Sequence, residues 1–164
     1  MKFVVKNKVL LLVTLIVVSA CSSIDCPMNS QVRASYGFVK ADGTSTKIAD
    51  TITVTALRGK GDTLLLNRST DIHSFSIPVS YAQDEDVLCF RIADTLGTVT
   101  TDTVRIRKIS HPHLESVDCA PKYFYTVTDV QSTTYGINNI VINDKEVNYD
   151  ISEENFHIYL NVRR

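Results

Sequence analysis

Hydrophobic and polar residues alternate along most of the chain beyond Cys26, and this period of two constrains the fold more than any other feature. In residues 74–81 every second residue is large and apolar, and serine or proline lies between them. One face of a strand would therefore carry Phe75, Ile77, Val79 and Tyr81. Residues 51–57 and 155–162 repeat the pattern. Such alternation is typical of a strand with one buried face in an antiparallel sheet. The sequence therefore predicts strands, and it offers no long segment of helical periodicity.

Other segments are less regular, but they are rich in the β-branched and aromatic residues that favour strands. They are residues 32–39, 63–66, 87–93, 98–109, 123–130 and 137–142. Turn signals such as Asp42-Gly43 and Leu96-Gly97 separate them. About nine short strands at this spacing predict an all-β fold, an immunoglobulin-like antiparallel β-sandwich, with a closed barrel as the alternative. Pro78 cannot donate to a ladder, so its strand is predicted at a sheet edge or a bulge.

The first twenty residues have the layout of an export signal. Three lysines precede an apolar run from Val9 to Val18, which is too short for the roughly 20 residues of a membrane-spanning helix. The segment Val18-Ser19-Ala20-Cys21 resembles the lipobox of bacterial lipoproteins, which implies cleavage before Cys21 and acylation of Cys21. We therefore expect a signal peptide at 1–20, a lipidated tether at 21–30 and a single β-sandwich domain at 31–164.

Cleavage would also change the charge and suggests a location. It removes three of the 17 basic side chains and none of the 18 acidic ones, so the remaining 144 residues carry a net charge of −4. Nucleic-acid binding depends on a clustered surplus of Lys and Arg. This chain has no such surplus, so nucleic-acid binding is not expected. Lipoproteins kept in the inner membrane commonly carry Asp after the lipidated cysteine. Here Ser22 favours the outer membrane by the same resemblance, and periplasmic or surface facing stays open.

The four cysteines divide by expected role. Cys21 is assigned to lipid, and Cys89 lies inside a predicted strand, where a small buried thiol is typical. A reactive thiol at Cys89 is the alternative, but no CxxC motif supports it. Cys26 and Cys119 lie in irregular segments beside prolines, so a disulfide is predicted between them. It would close a loop of about 90 residues and stabilise the fold by roughly 4 kcal/mol.

The most suggestive stretch for chemistry runs from His111 to Cys119, with two imidazoles, two carboxylates and a thiol. His111 and His113 are candidate ligands of zinc or another transition metal, which would imply a metal-dependent enzyme. Pro112 favours extended backbone, and the two imidazoles would point the same way only in a strand. We favour the alternative, a connecting loop whose polar side chains tie strand ends. Neither a metal nor a cofactor is predicted.

Two further sets of side chains suggest ligands. Asp84 and Asp86, with nearby carbonyl groups, form a candidate calcium loop. Aromatic residues are candidate stacking platforms for a sugar, namely Tyr123, Tyr125 and Tyr159. The sequence lacks the GxSxG elbow and the phosphate-binding glycine loops that would indicate catalysis.

The tripeptide Asp-Thr-aliphatic recurs at residues 50–52, 62–64, 94–96 and 102–104. About one occurrence is expected at ordinary composition. One explanation is that Asp closes a turn and Thr begins a strand. The tripeptides also resemble the O-glycosylation acceptor of exported Bacteroidota proteins. By this resemblance the candidate glycosylation sites are Thr51, Thr63, Thr95 and Thr103.

A set of short segments distributed along the chain gives a family resemblance. The segments are Cys26-Pro27, Ser35-Tyr36-Gly37-Phe38, Asn67-Arg68, Pro78-Val79-Ser80-Tyr81, Pro112-His113-Leu114-Glu115-Ser116-Val117-Asp118-Cys119 and Ile140-Val141-Ile142-Asn143. Together they resemble a family of Bacteroidota lipoproteins of unknown function. The stretch that begins at Pro112 is the most specific part. The resemblance supports pairing Cys26 with Cys119, since both lie in matched segments, and it supplies no catalytic residue.

The sequence thus favours a non-enzymatic outer-membrane lipoprotein. We expect a membrane anchor through lipid and a protein partner, in particular an outer-membrane β-barrel protein or its assembly machinery. Carbohydrate binding is the alternative function, and a metal-dependent enzyme using His111 and His113 is the third.

Overall fold

The computed structural model describes residues 31–116 and 118–161. All regular elements of this part are strands, and none of it forms a helix long and apolar enough to cross a membrane. In chain order the strands are β1 (Arg33–Phe38), β2 (Thr51–Ala56), β3 (Thr63–Ser69), β4 (Ser74–Pro78), β5 (Glu85–Ala93), β6 (Val99–His113), β7 (Lys122–Ser132), β8 (Ile137–Ile142), β9 (Glu146–Val147) and β10 (Phe156–Leu160). The predicted all-β fold is confirmed. The predicted signal peptide and tether, with Cys21 and Cys26, lie outside the described residues.

The strands form two sheets. One has the order β4-β1-β10-β8 and the other the order β3-β2-β5-β6-β7-β9, and the chain passes between them several times. All neighbouring pairs are antiparallel except β1 and β10, which run parallel with Tyr36 opposite Phe156. The predicted antiparallel pattern is corrected at this pair. β10 is thus antiparallel to β8 on one side and parallel to β1 on the other.

An aromatic group joins the two sheets at the centre of the core. The ring of Tyr36 stacks between Phe75 and Phe156, with centroids 5.0 and 4.8 Å away. Its edge meets Phe90 of the other sheet at 6.1 Å. These rings are buried because each occupies an inward position of an alternating strand. Burial of these rings adds to the stabilisation that the aliphatic side chains of the core provide.

Strand β4 lies at the edge of the four-stranded sheet, as the proline in it predicts. Pro78 is its last residue and faces Arg33 of β1. The predicted strand continued to Tyr81, and that part is wrong. The chain leaves the sheet after Pro78, so Tyr81 is 79% exposed instead of lying on the buried face.

Strand β6 extends four residues beyond its predicted end at Ile109 and includes Pro112. Its pairing with β5 ends at the Glu85–Arg107 pair, whereas its pairing with β7 continues to His113. Beyond Arg107, β6 therefore pairs with β7 on one side and has no β5 residue opposite it on the other. Pro112 lacks an N–H, but no hydrogen bond between strands is lost on that unpaired side. The predicted connecting loop at His111 and His113 is corrected to a strand.

The carboxylate of Asp102 is fully buried within β6 and organises the start of β8. One oxygen accepts hydrogen bonds from the Thr133 hydroxyl at 2.8 Å and the Tyr135 amide at 2.7 Å. The other accepts from the amides of Gly136 and Ile137 at 2.7 and 2.9 Å. The amides of Tyr135 and Gly136 belong to the crossing between the two sheets, and the third belongs to Ile137, the first residue of β8. Asp102 thus serves as the acceptor for all three.

Gly136 has no room for a side chain, and we predict that Gly136→Ala is destabilising. A Cβ there would lie 2.3 Å from Thr100 Oγ1 and 3.2 Å from Asp102 Oδ2. Overpacking of this kind lowers the free energy of unfolding by about 2 kcal/mol. Urea denaturation of the wild-type and variant proteins measures the difference.

A double-mutant cycle with Thr100→Ala provides the control for this effect. The Thr100 hydroxyl is buried without a hydrogen-bond partner in the described part of the chain, so its removal breaks no hydrogen bond there. The double variant is expected to recover about half of the loss caused by Gly136→Ala. Strictly additive effects of the two substitutions would show that the close contact is not the cause.

Candidate functional site

Five side chains form an interlocked group where β6 ends and β7 begins. We call this group, which consists of His113, Glu115, Lys122, Phe124 and Tyr149, the aromatic–ionic cluster. The His113 ring stacks on Phe124 with centroids 4.3 Å apart, and Tyr149 meets Phe124 edge-on at 5.0 Å. Glu115 Oε1 accepts hydrogen bonds from the Tyr149 hydroxyl at 3.0 Å and from Lys122 Nζ at 3.1 Å. The rings are therefore held in one arrangement, although Tyr149 is 43% exposed.

The pairing of β6 with β7 explains how the cluster forms. It places His113 opposite Lys122, and alternation along β7 sends Tyr125 into the core and Phe124 to the opposite face. Tyr149 reaches the cluster from the segment just after β9. The hydrogen bond from Lys122 is the main cause that lowers the pKa of Glu115. The carboxylate therefore stays charged at neutral pH and keeps both donors in place.

The two metal candidates lie in the same strand but have separate partners. His111 Nε2 is 3.0 Å from Thr126 Oγ1, and this hydroxyl lies 3.1 Å from Glu146 Oε2, to which it donates. His113 is engaged with Phe124 instead. In the described part of the chain, no group of three His, Cys, Asp or Glu side chains lies close enough to hold a metal ion. His111 and His113 thus take part in side-chain contacts across β6 and β7.

A groove at the same end of the sandwich brings together two of the three tyrosines that the sequence singles out. Tyr123 and Tyr125 line it with Tyr81, and its volume is about 390 Å³. Tyr125 is 4% exposed and contributes only to the floor, while Tyr123 is 38% exposed. We call this the tyrosine groove. Tyr159 lines a different groove, so the three tyrosines do not form one platform.

Comparison with known proteins identifies the family. A family model matches residues 51–160, which is more than half of the chain. The chain belongs to DUF6452, a family of unknown function. No curated protein and no solved structure shows a significant match. The DUF6452 match begins with β2, ends with β10 and includes every residue of the aromatic–ionic cluster.

Within the DUF6452 match, Asp86 has a partner that the sequence did not indicate. Its Oδ2 lies 2.9 Å from Nζ of Lys108, which is 4% exposed. Lys108 Nζ also donates to the Gln83 carbonyl at 2.8 Å and lies 5.6 Å from the centre of the Tyr125 ring. The carboxylate of the calcium candidate Asp86 is thus engaged by a buried ammonium. Burial, with a smaller effect of Asp86, raises the pKa of Tyr36.

The four Asp-Thr tripeptides of this DUF6452 member lie in unlike places. Thr95 is exposed in the β5–β6 hairpin, where Asp94 accepts amide hydrogen bonds from Leu96 and Thr98. Thr63 is exposed at the start of β3, and Thr51 and Thr103 are half-buried in strands. The turn explanation fits Asp94 but is wrong for Asp102, which lies inside β6. O-glycosylation of these threonines stays a prediction.

The cysteines of the DUF6452 match differ in environment. Cys119 is 9% exposed and is not a free thiol, and its predicted partner Cys26 lies outside the described residues. Cys89 is free and half-buried, so the expected burial is wrong. The inward residues of β5 are its neighbours Leu88 and Phe90. Burial raises the pKa of the Cys89 thiol, which disfavours a reactive thiolate.

Sequence reasoning missed Lys122, Phe124 and Tyr149 as members of a surface cluster. One signal for Phe124 was present, because the alternation of β7 places a large ring on the polar face with Thr126. Tyr149 gave no such signal, since it lies outside any strand.

Proposed function

We propose that this DUF6452 member is a non-enzymatic lipoprotein of the bacterial outer membrane that binds a partner protein in an envelope complex. The lipobox resemblance at Val18-Ser19-Ala20-Cys21 supports anchoring through Cys21. A disulfide between Cys26 and Cys119 belongs to the proposal and would hold the start of the chain to the body. The resemblance to Bacteroidota lipoproteins supports the location.

The observation that carries the proposal is the set of contacts that the exposed Tyr149 makes within the aromatic–ionic cluster. Exposed aromatic side chains are the usual anchors of protein interfaces. Tyr149 is fixed by Glu115 and by the edge-on contact with Phe124, so little conformational entropy is lost when a partner covers it. A cluster that is partly exposed yet already ordered is well suited to binding.

Two of the four edge strands in the described sheets, β3 and β4, carry features that disfavour recognition by strand addition. β3 is an edge strand whose register against β2 shifts at two places. β4 is an edge strand that ends in Pro78. Bulges and prolines at edges discourage pairing with another strand. We expect the partner, an outer-membrane β-barrel protein, to contact the cluster and not the edge strands β3 and β4.

Purification of the tagged full-length protein from gently solubilised membranes tests this proposal. The wild-type protein is expected to retain a stoichiometric partner. Tyr149→Ala is expected to reduce the retained partner at least about tenfold, because loss of a central aromatic anchor costs about 2 kcal/mol.

Tyr135→Ala is the matched control, since Tyr135 is 73% exposed and lies outside the cluster, and the substitution keeps the backbone amide that donates to Asp102. It is expected to retain the partner as the wild type does. Recovery of the wild-type protein only as a monomer contradicts the proposal. Equal loss of the partner in both tyrosine variants contradicts the role of the cluster.

A further inference from the structure

The tyrosine groove lies where the chain enters the sandwich. Gln31, the first described residue, and Val32 line the groove together with Tyr81 and Tyr123. Cys21 precedes Gln31 by ten residues, so a fully extended tether spans at most about 35 Å. With a Cys26–Cys119 disulfide the free tether would be shorter still, because Cys119 precedes the groove residue Pro121 by two positions.

The same end exposes side chains suited to a lipid–water interface. Tyr81 is 79% exposed and Tyr123 is 38% exposed. Leu114, which directly follows the end of β6 beside this groove, is 65% exposed. A tyrosine ring has an apolar body and a polar tip, and this combination favours the headgroup region of a membrane.

The opposite end of the six-stranded sheet lies far from the tyrosine groove. Pro112 pairs with Tyr123, and Val99 at the other end of β6 pairs with Ala93. The thirteen residue steps from Val99 to Pro112 correspond to about 40 Å of extended strand. Leu96, 91% exposed at the tip of the β5–β6 hairpin, therefore lies far from the tyrosine groove.

We infer that the tyrosine-groove end rests on the lipid surface, with Tyr81 and Tyr123 in the headgroup region. The inference rests on the proposed lipid anchor, and it specifies which end of the domain faces the membrane. The cluster member Lys122 also lines the groove, so a partner embedded in the same membrane would meet the aromatic–ionic cluster from the side.

The chain contains no tryptophan, so a single introduced indole reports on one place. The test uses the full-length acylated protein carrying Tyr81→Trp, reconstituted into phosphatidylcholine vesicles with or without brominated acyl chains. Leu96→Trp is the matched control at the far end. Brominated lipid is expected to quench the emission of Tyr81→Trp roughly twofold, with a shift to shorter wavelength, and to leave Leu96→Trp unchanged.

The outcomes separate the inference from the proposed function. Equal emission from both variants on vesicles that carry the protein overturns the inference and leaves the anchor intact. If the protein floats with vesicles no better than Cys21→Ser, the proposed lipoprotein fails and the inference with it. A third outcome is that brominated vesicles do not quench Tyr81→Trp, although its indole is shielded from acrylamide in native membranes. This result would show that a protein covers this end, and it would overturn lipid contact. Tyr123→Trp repeats the test should Tyr81→Trp not fold.

Discussion

Asp102→Ala is expected to lower the free energy of unfolding by about 5 kcal/mol, because two buried amides and one part-buried amide lose their acceptor at roughly 1–3 kcal/mol each. Those amides belong to Tyr135, Gly136 and Ile137, and the carboxylate that binds them is fully buried. Domains of this size are stable by only about 5–15 kcal/mol, so the variant is expected to be partly unfolded near body temperature. Urea denaturation followed by circular dichroism measures the loss.

Two variants test the cause of this effect. Asp102→Asn keeps the shape but retains one acceptor oxygen, so its loss of stability is expected to fall between those of the wild type and the alanine variant. Asp129→Ala removes a carboxylate of β7 whose partner is the side chain of Gln131, and it is expected to change little. A loss below about 1 kcal/mol in Asp102→Ala would show that water replaces the carboxylate at these amides.

The second large effect is expected for Asp86→Ala, which leaves the ammonium of Lys108 without its counter-charge. Removal of one partner of a buried ion pair costs about 3–5 kcal/mol. Lys108 is 4% exposed, and only the Gln83 carbonyl would still accept a hydrogen bond from it among the contacts described above. Thermal and urea unfolding of the variant measure the destabilisation.

The double variant Asp86→Ala/Lys108→Met is the informative counterpart of Asp86→Ala. Methionine fills a similar volume beside Tyr125, and exchange of a whole buried ion pair for apolar side chains is often close to neutral. The control is Glu85→Ala, because Glu85 pairs with Arg105 and Arg107 on the exposed side of the same strands and such pairs contribute little. Similar losses from Asp86→Ala and Glu85→Ala would contradict the argument from burial.

The strands could be predicted from sequence because burial of one face leaves a local pattern. Residues 51–57 alternate along their whole length, and the observed β2 follows that alternation. β9 was missed because two residues are too few to show a period. The order of strands could not be predicted, because the parallel pairing of β1 with β10 joins segments at opposite ends of the domain.

The candidate site was less accessible to prediction, since its contacts join distant segments. Glu115 and Tyr149 are separated by 34 positions, and Asp102 lies 33 positions from Tyr135. Asp102 was interpreted as a turn residue because its tripeptide matches that of Asp94, which does close a turn. The local sequence shows that an aspartate is present, but it does not show which hydrogen-bond donors the fold brings to its carboxylate. Cys89 was wrongly predicted to be buried because both faces of β5 carry apolar residues near it.

The position of β10 between β1 and β8 has a consequence for when the protein acquires its structure. β10, which follows the other described strands in the chain, supplies Phe156, whose ring completes the stack on Tyr36 of β1. Until β10 leaves the ribosome, β1 and β4 have no neighbour to join them to β8. Pairings across such long separations also form slowly. The order of synthesis thus delays closure of the core until β10 has been made.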